Sequence, residues 1–306
     1  MAERSAVRCA ALSRARGEAM IGTASRVQRW MIVEQPGPWG VDALQESRLD
    51  PAVATRLAAD ADAHGVRILL ARRPGQRSLG DARSVFLAHS GVERWWIEHL
   101  RLPSDDLLEG IDLGALAFPD PPGIGDPGPV GLHLVCTNGR HDPCCADLGR
   151  PVARALAAAG APDVWESSHV GGDRFAANIV SLPRGTYYGR VPPDGAAQLL
   201  ADDREGLIDL ESYRGRSCHP PLIQAAEWFV RSHLGERRAD GLGVLSVAPA
   251  DAGERTVRLQ QRDGPVVSAT VQRSRADAPE LLTCRSTEPQ VPWRFTLREL
   301  QVHRDG

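Results

Sequence analysis

Residues 132–136 read Leu-His-Leu-Val-Cys, an apolar run with the length of a buried strand that ends on a cysteine. Signals for a helix, a second strand, a hairpin and a closing helix follow it. They fall at 150–159, 164–168, 178–182 with 187–191, and 194–203. If the two hairpin strands are counted as one element, the order is β-α-β-β-α. This order is the core of a thioredoxin fold.

The sequence on either side of this unit predicts two further regions. Strand, helix and strand signals at 30–34, 50–64 and 66–70 predict parallel pairing in an α/β layer. The Pro/Gly-dense stretch 118–129 is the predicted boundary of that layer. The predicted fold class is α/β, with three parts: an N-terminal α/β domain at 1–120, a thioredoxin-like domain at 130–205 and a small α+β region at 206–306.

The overall composition excludes several function classes. The 306 residues carry a formal net charge of −3, whereas a general nucleic-acid-binding protein shows a basic excess. No stretch approaches the roughly 20 apolar residues of a membrane span. The sequence therefore predicts a cytoplasmic protein with no nucleic-acid or membrane partner. In a reducing cytoplasm its six cysteines are expected to be free thiols.

Two cysteines and a histidine stand at the ends of the predicted parallel strands. Cys136 ends the first strand, Cys145 lies in what we predict to be the following loop, and His169 ends the second strand. Because the carboxyl ends of parallel strands meet at one edge of a sheet, these side chains are expected to converge. Thiolate and imidazole donors suit zinc or an iron–sulfur cluster. Gly171 and Gly172 would let the backbone pass close to a bulky cofactor.

There are three other interpretations of these residues, and two of them require a particular spacing of the ligands. They could be reduced structural cysteines beside a core histidine. Structural zinc sites usually pair ligands two to four residues apart, and a dithiol redox site needs Cys-x-x-Cys, which is absent. The scattered cysteines, Cys9, Cys218 and Cys284, are not expected to be ligands, although Cys9 merits a mutational control.

Three stretches carry a similarity to a known family. They are Cys136–Ala146 (CTNGRHDPCCA), Trp165–Asn178 (WESSHVGGDRFAAN) and Tyr188–Val191 (YGRV). They resemble the sucrase/ferredoxin-like family, which belongs to the thioredoxin-like ferredoxins. Looser similarity lies in Gly22–Ala24, Glu34–Gly40 and Gln224–Glu227.

The resemblance implies a 2Fe-2S cluster held by two cysteines with eight residues between them and by a His-x-x-x-His pair. Carried over, the pattern assigns Cys136, Cys145 and His169 as ligands. The fourth position is Asp173 instead of histidine. Asp173 fits the spacing, while Cys144 is the softer donor and could replace it; loss of the cluster is a third possibility.

The function implied is electron transfer to or from a redox partner protein, a reductase or an acceptor. A histidine ligand would raise the reduction potential relative to an all-thiolate cluster. No catalytic residue is assigned, because no placed pair of carboxylates for sugar cleavage is evident. The alternatives are a thiol-based redox enzyme and a zinc-stabilised interaction module.

Overall fold

The structure is a computed structural model that describes residues 8–78, 80–251 and 253–303. It is a mixed α/β protein with a ten-stranded mixed sheet and a separate four-stranded antiparallel sheet. The helices are α1 (Cys9–Ala15), α2 (Pro51–His64), α3 (Pro143–Ala158), α4 (Ala196–Arg204) and α5 (Pro221–Leu234). The strands of the large sheet are β1 (Arg29–Glu34), β2 (Val66–Arg72), β3 (Arg83–Ser90), β4 (Trp95–Leu102), β5 (Asp126–Pro127), β6 (Leu132–Cys136), β7 (Val164–Ser167), β8 (Ile179–Leu182), β9 (Thr186–Tyr188) and β10 (Tyr213–Arg216). Those of the small sheet are β11 (Leu242–Pro249), β12 (Glu254–Gln261), β13 (Val266–Arg275) and β14 (Trp293–His303).

The large sheet has the order β10-β9-β8-β6-β7-β2-β1-β3-β4-β5. The two strand–helix–strand units, β1-α2-β2 and β6-α3-β7, each pair in parallel, as the sequence predicts. The hairpin of β8 and β9 is also confirmed. Strands β2 and β7 join the two units through an antiparallel contact. The regions predicted as separate domains at 1–120 and 130–205 therefore contribute to one continuous sheet.

One hydrophobic core is shared by both halves of this sheet. Trp30 and Phe86 from the N-terminal half lie in the same buried cluster as Leu134, Trp165 and Val180 from the other half. A second core lies under α2, and a third between α3 and α4. The shared core fixes the position of β6 and β7, whose ends carry the predicted ligands.

The start of α3 differs from the sequence-based expectation. The helix begins at Pro143 and not near Arg150, so Cys144 and Cys145 lie on its first turn and not on a loop. The physical reason is the cap: the Asp142 carboxylate accepts a hydrogen bond from the Cys144 amide (2.8 Å), and Pro143 occupies the first helical position. Pro151, at the start of the predicted helix 150–159, lies inside the observed helix.

The C-terminal region contacts the rest of the chain through α5. The buried Gln224 accepts a hydrogen bond from the Ala24 amide (3.1 Å) and donates one to the Ala24 carbonyl (3.2 Å). The other side of α5 lies on the small sheet, where β14 is a strand that the sequence did not predict. Among the described residues, no helix has the length and apolar character to cross a membrane.

Candidate metal centre

The carboxyl ends of β6 and β7 lie side by side and place two of the predicted ligands. Cys136 is the last residue of β6, and its amide donates to the Asn178 carbonyl (3.0 Å). His169 follows β7 by two residues, and its carbonyl accepts a hydrogen bond from Arg67 of β2 (2.9 Å). Neighbouring strands on both sides therefore fix the backbone at Cys136 and His169.

Helix α3 supplies the third ligand from its first turn. Its approach is close because Gly149 faces the end of β6: a Cβ at this position would lie 2.0 Å from the Cys136 carbonyl oxygen. A side chain of any size would push the helix off the strand. Gly149 thus allows Cys145, one turn earlier, to reach Cys136.

The ligand atoms of Cys136, Cys145 and His169 all lie within 4.8 Å of one another, and this set could hold a metal ion. Asp173 closes the group, because its Oδ1 accepts a hydrogen bond from the Cys145 thiol (3.1 Å) and lies 2.9 Å from His169 Nδ1. Both cysteines and Asp173 are buried, whereas 22% of the His169 side chain is exposed. The structure therefore brings four of the five predicted residues together.

The charges of this group are paired. The hydrogen bond from Cys145, together with His169, lowers the pKa of the Cys136 thiol well below its ordinary value although burial opposes this. Burial disfavours a charge on His169, but its contacts with Asp173 and Cys136 are stronger and raise the pKa of the imidazole to about 9. Burial also acts against ionised Asp173, but its hydrogen bond to His169 keeps the pKa of the carboxyl low. These contacts favour a thiolate at Cys136, an imidazolium at His169 and a carboxylate at Asp173, while the same thiol pair raises the pKa of Cys145 and favours its neutral form.

The fifth predicted residue, Cys144, lies in a different group. Its thiol points away from Cys145 and contacts Cys9 (3.6 Å) and Cys284 (3.4 Å). The Cys9 hydrogen bond lowers the pKa of Cys144 to about 7. The sequence assigned no site to Cys9 or Cys284, because 135 to 275 positions separate the members of this trio along the chain.

His141 is part of the site that sequence reasoning missed. Its ring stacks on that of His169, with centroids 3.7 Å apart and planes 14° from parallel. Its Nε2 lies 3.9 Å from Asp173 Oδ2, so His141, His169 and Asp173 form a second possible ligand set. Nothing in the spacing of His141 distinguishes it in the sequence from a residue that stabilises the loop through hydrogen bonds.

Arg214 of β10 is the other residue that the sequence did not point to. Its guanidinium is buried and donates to the Gly171 carbonyl (3.0 Å) and the Asn178 side chain (2.8 Å). Burial lowers its pKa to about 10, so it stays charged at neutral pH. The side chain holds the loop between His169 and Asp173 in place. In the sequence, the sign of this role would have been a single arginine in an edge strand.

The structure also corrects the reason for the two glycines of that loop. Gly171 and Gly172 have φ of 101° and 82°, a region that favours glycine. A Cβ on Gly172 would lie 2.3 Å from the Arg214 guanidinium, and one on Gly171 would lie 2.6 Å from Ser25 Oγ. Backbone conformation and packing against these protein groups account for both glycines, without a cofactor.

A cleft of about 550 Å³ opens beside the two groups. The backbone at Gly40 and Val41 forms one wall and accepts hydrogen bonds from the side chains of Asn138 (3.1 Å) and His141 (3.3 Å). Its charged lining residues are Arg8, Arg140, Arg285 and Glu46, and Cys284 also lines it. The cleft is therefore predominantly basic and lies next to the exposed edge of the site.

A family model described as Sucrase/ferredoxin-like matches residues 20–215. The chain belongs to the sucrase/ferredoxin-like family. The matched region contains Cys136, Cys144, Cys145, His169 and Asp173. No curated protein and no solved structure matches the chain.

Family membership confirms the resemblance predicted from the three sequence stretches. Cys9 and Cys284 lie outside the matched region, one on each side of it. The matched region therefore contains Cys136, Cys145 and His169 completely, but only Cys144 of the trio that it forms with Cys9 and Cys284.

Proposed function

We propose that this chain is an electron-transfer protein whose 2Fe-2S cluster is held by Cys136, Cys145, His169 and Asp173. The observation that supports the proposal most strongly is the convergence of two buried thiols, an imidazole and a carboxylate at one edge of the sheet. The adjacent β7-β6-β8-β9 order agrees with a thioredoxin-like arrangement of the surrounding strands. Membership of the sucrase/ferredoxin-like family supports the same function.

The donor set fits such a cluster. Soft thiolates and imidazole are the ligands that iron–sulfur centres use in proteins, and Cys136 is poised as a thiolate. When bound, the cluster supplies a one-electron redox centre. The chain itself orients the donors through the Asp142 cap and the Arg214 contacts, and it excludes water from both cysteines.

Asp173 is our choice as the fourth ligand over Cys144. The Asp173 carboxylate contacts both Cys145 and His169, whereas Cys144 contacts two cysteines of the other group. Cys144 and Cys145 are adjacent on a helix, so their side chains diverge by about 100°. The thiol of Cys144 cannot turn to the first group without unwinding the start of α3.

The redox partner is proposed to approach at the basic cleft. His141 and His169 are the partly exposed residues of the site, with 30% and 22% of their side chains accessible. The arginines that line the cleft favour a partner with an acidic surface, and the His141 ring contacts the wall of this cleft at Val41. We infer that its electron enters or leaves at this edge, and that the rate of exchange falls as salt concentration rises.

The test is anaerobic purification followed by visible absorption and by iron and sulfide analysis. The wild-type chain is expected to contain two irons and two sulfides and to bleach with dithionite. Cys145→Ser and Cys144→Ser are a matched pair of neighbouring cysteines: the first change should abolish the cluster and the second should leave it. Asp173→Ala should lower the iron content or shift the spectrum.

Three results would contradict the proposal or part of it. A wild-type chain that stays colourless and iron-free after anaerobic reconstitution is not an electron carrier of this kind. If it instead retains zinc that Cys145→Ser removes, the first group is a zinc site. Loss of the cluster in Cys144→Ser with retention in Asp173→Ala would make Cys144 the fourth ligand.

A further inference from the structure

A second group of metal-ligating side chains lies apart from the proposed cluster site. It consists of Cys9 at the start of α1, Asp142 and Cys144 at the start of α3, and Cys284 in the segment between β13 and β14. Their ligand atoms lie within 4.8 Å of one another. We propose that this group binds a zinc ion that connects the two ends of the chain to α3.

The distances between the sulfur atoms suit a single ion. They are 3.6 Å from Cys9 to Cys144, 3.4 Å from Cys144 to Cys284 and 3.4 Å from Cys284 to Cys9. A tetrahedral zinc with Zn–S bonds of about 2.3 Å places its sulfurs about 3.8 Å apart. The trio is thus within a few tenths of an ångström of that geometry, and it is far from the roughly 2.05 Å of a disulfide. In an iron–sulfur cluster whose three cysteine ligands bind three different irons, the distances between the cysteine sulfur atoms would be longer than these.

Asp142 provides the fourth donor and also orients the thiols. Its Oδ1 accepts a hydrogen bond from the Cys144 amide (2.8 Å) and its Oδ2 accepts one from the Cys284 amide (2.6 Å). Each oxygen keeps a lone pair free, because a carboxylate oxygen can accept more than one hydrogen bond or ligand contact. Both oxygens lie 3.9 Å from Cys9 Sγ. One carboxylate therefore fixes the backbone of two ligands and faces the third.

Burial and charge favour a divalent cation here. Cys9, Asp142 and Cys144 are each at most 1% exposed, while Cys284 is partly exposed at the wall of the basic cleft. A cation bound here would pair with the buried Asp142 carboxylate and add to the compensation that its two backbone hydrogen bonds provide. Sulfur-rich tetrahedral sites with four protein ligands are the usual form of structural zinc.

The position of the site suggests what the ion does. It connects three cysteines that are 135 to 275 positions apart, and it lies on a different side of the first turn of α3 from Cys145. Zinc would hold the start of α3 against the segments that carry Cys9 and Cys284. The role is structural, and the ion is separate from the proposed redox centre.

The experiment is metal analysis of the full-length chain grown with zinc and purified under reducing conditions without a chelator. We expect one zinc per wild-type chain, and loss of that zinc in Cys9→Ser and in Cys284→Ser. Cys218→Ser is the matched control, because Cys218 is a buried cysteine that belongs to neither group among the described residues. Cys145→Ser should lose iron and keep zinc, which separates this proposal from the proposed function.

Cobalt substitution of the wild type keeps the test independent of how the variants fold. One equivalent of Co²⁺ should give intense visible bands of a tetrahedral ion and strong thiolate-to-cobalt charge-transfer absorption, which excess zinc should abolish. Weak bands of six-coordinate cobalt would overturn the proposal. So would a zinc-free wild type after reconstitution, a disulfide within the trio, iron in place of zinc at these cysteines, or equal zinc loss in Cys218→Ser.

Discussion

Asp173 contacts both the thiol of Cys145 and the imidazole of His169 and so decides the charge state of the first metal group. A histidine at this position, as in the family pattern that the resemblance implied, would bring no negative charge. The carboxylate instead favours an imidazolium at His169, although burial disfavours that charge.

Replacing this carboxylate tests its electrostatic role. In the metal-free, reduced protein, Asp173→Asn is expected to lower the pKa of His169 from about 9 to the ordinary histidine range or below, because burial then opposes the charge with less compensation. An NMR titration of the imidazole, assigned with a His169→Gln chain, measures the shift. Asp147→Asn removes an exposed carboxylate that pairs with Arg8 and should leave the titration unchanged. An unchanged pKa in Asp173→Asn would contradict the charge pairing.

His133 in β6 makes the folded protein sensitive to acid. Its side chain is fully buried, contacts Ser181 Oγ (2.9 Å), and has its pKa lowered to about 3 by burial. An unfolded histidine titrates near 6.5. Between these values the unfolded chain binds a proton that the folded chain does not, so the free energy of unfolding falls as pH falls below about 6.5.

His133→Gln is expected to remove this dependence while keeping a polar partner for Ser181. Between pH 7 and pH 5 the wild type should lose about 2 kcal/mol more of its free energy of unfolding than the variant. Urea unfolding at the two pH values gives the difference. His64→Gln, at an exposed position, should behave like the wild type. Equal pH slopes in wild type and His133→Gln would show that His133 does not titrate in this way.

At the scale of elements, the contact of α3 with the end of β6 determines whether Cys145 meets Cys136. The contact depends on Gly149, whose missing side chain leaves room for the Cys136 carbonyl. The capping Asp142 determines where the helix begins, and so which of two adjacent cysteines faces β6. A helix starting near Arg150 would have left both cysteines on a loop.

Gly149→Ala is therefore expected to damage both fold and site. In a helix interior, alanine is more favourable than glycine by about 1 kcal/mol. A loss of stability in Gly149→Ala would therefore come from the steric contact. We expect the free energy of unfolding to fall by about 1 to 3 kcal/mol and the iron content to decrease with it. Gly243→Ala, on a strand where nothing lies within 4 Å of the new Cβ, is the matched control. If Gly149→Ala kept the iron content and stability of the wild type, the close approach of α3 to the end of β6 would be refuted.

At the scale of the whole molecule, one sheet and one core extend across the predicted boundary at 118–129. Ala71 and Arg72 of β2 pair with Ser167 and Glu166 of β7, and Arg72 also forms an ion pair with Glu166 (2.5 Å). These contacts lead us to expect that residues 130–205 need the preceding part of the chain in order to fold. The predicted division into domains stays a prediction, and a fragment tests it directly.

We expect a fragment of residues 130–205 to fail to fold alone, because it exposes the β7 edge and loses Trp30 and Phe86 from its core. Circular dichroism and limited proteolysis of the fragment, beside the full chain as control, measure this. A protease-resistant fragment that takes up iron would support the predicted domain and contradict the shared core as a requirement for folding.

Local sequence patterns were sufficient to predict the features that depend on neighbours along the chain. Strand periodicity and the order of strands and helices predicted the parallel pairs β1–β2 and β6–β7, and with them the convergence of Cys136, Cys145 and His169. The resemblance to the family added Asp173, and the structure brings these four residues together. The spacing could not show which face of α3 each cysteine takes, because that depends on the cap at Asp142.

The tertiary structure alone decided what depends on contacts between distant segments. His141 stacks on His169 from another loop, Arg214 reaches the glycine loop from β10, and Cys9 and Cys284 meet Cys144 from opposite ends of the chain. No local sequence pattern predicts these contacts, because they depend on how the sheet, α3 and the terminal segments pack together. Periodicity and capping act over a few residues, whereas a ligand set is defined by distances of a few ångströms between side chains that hundreds of residues can separate.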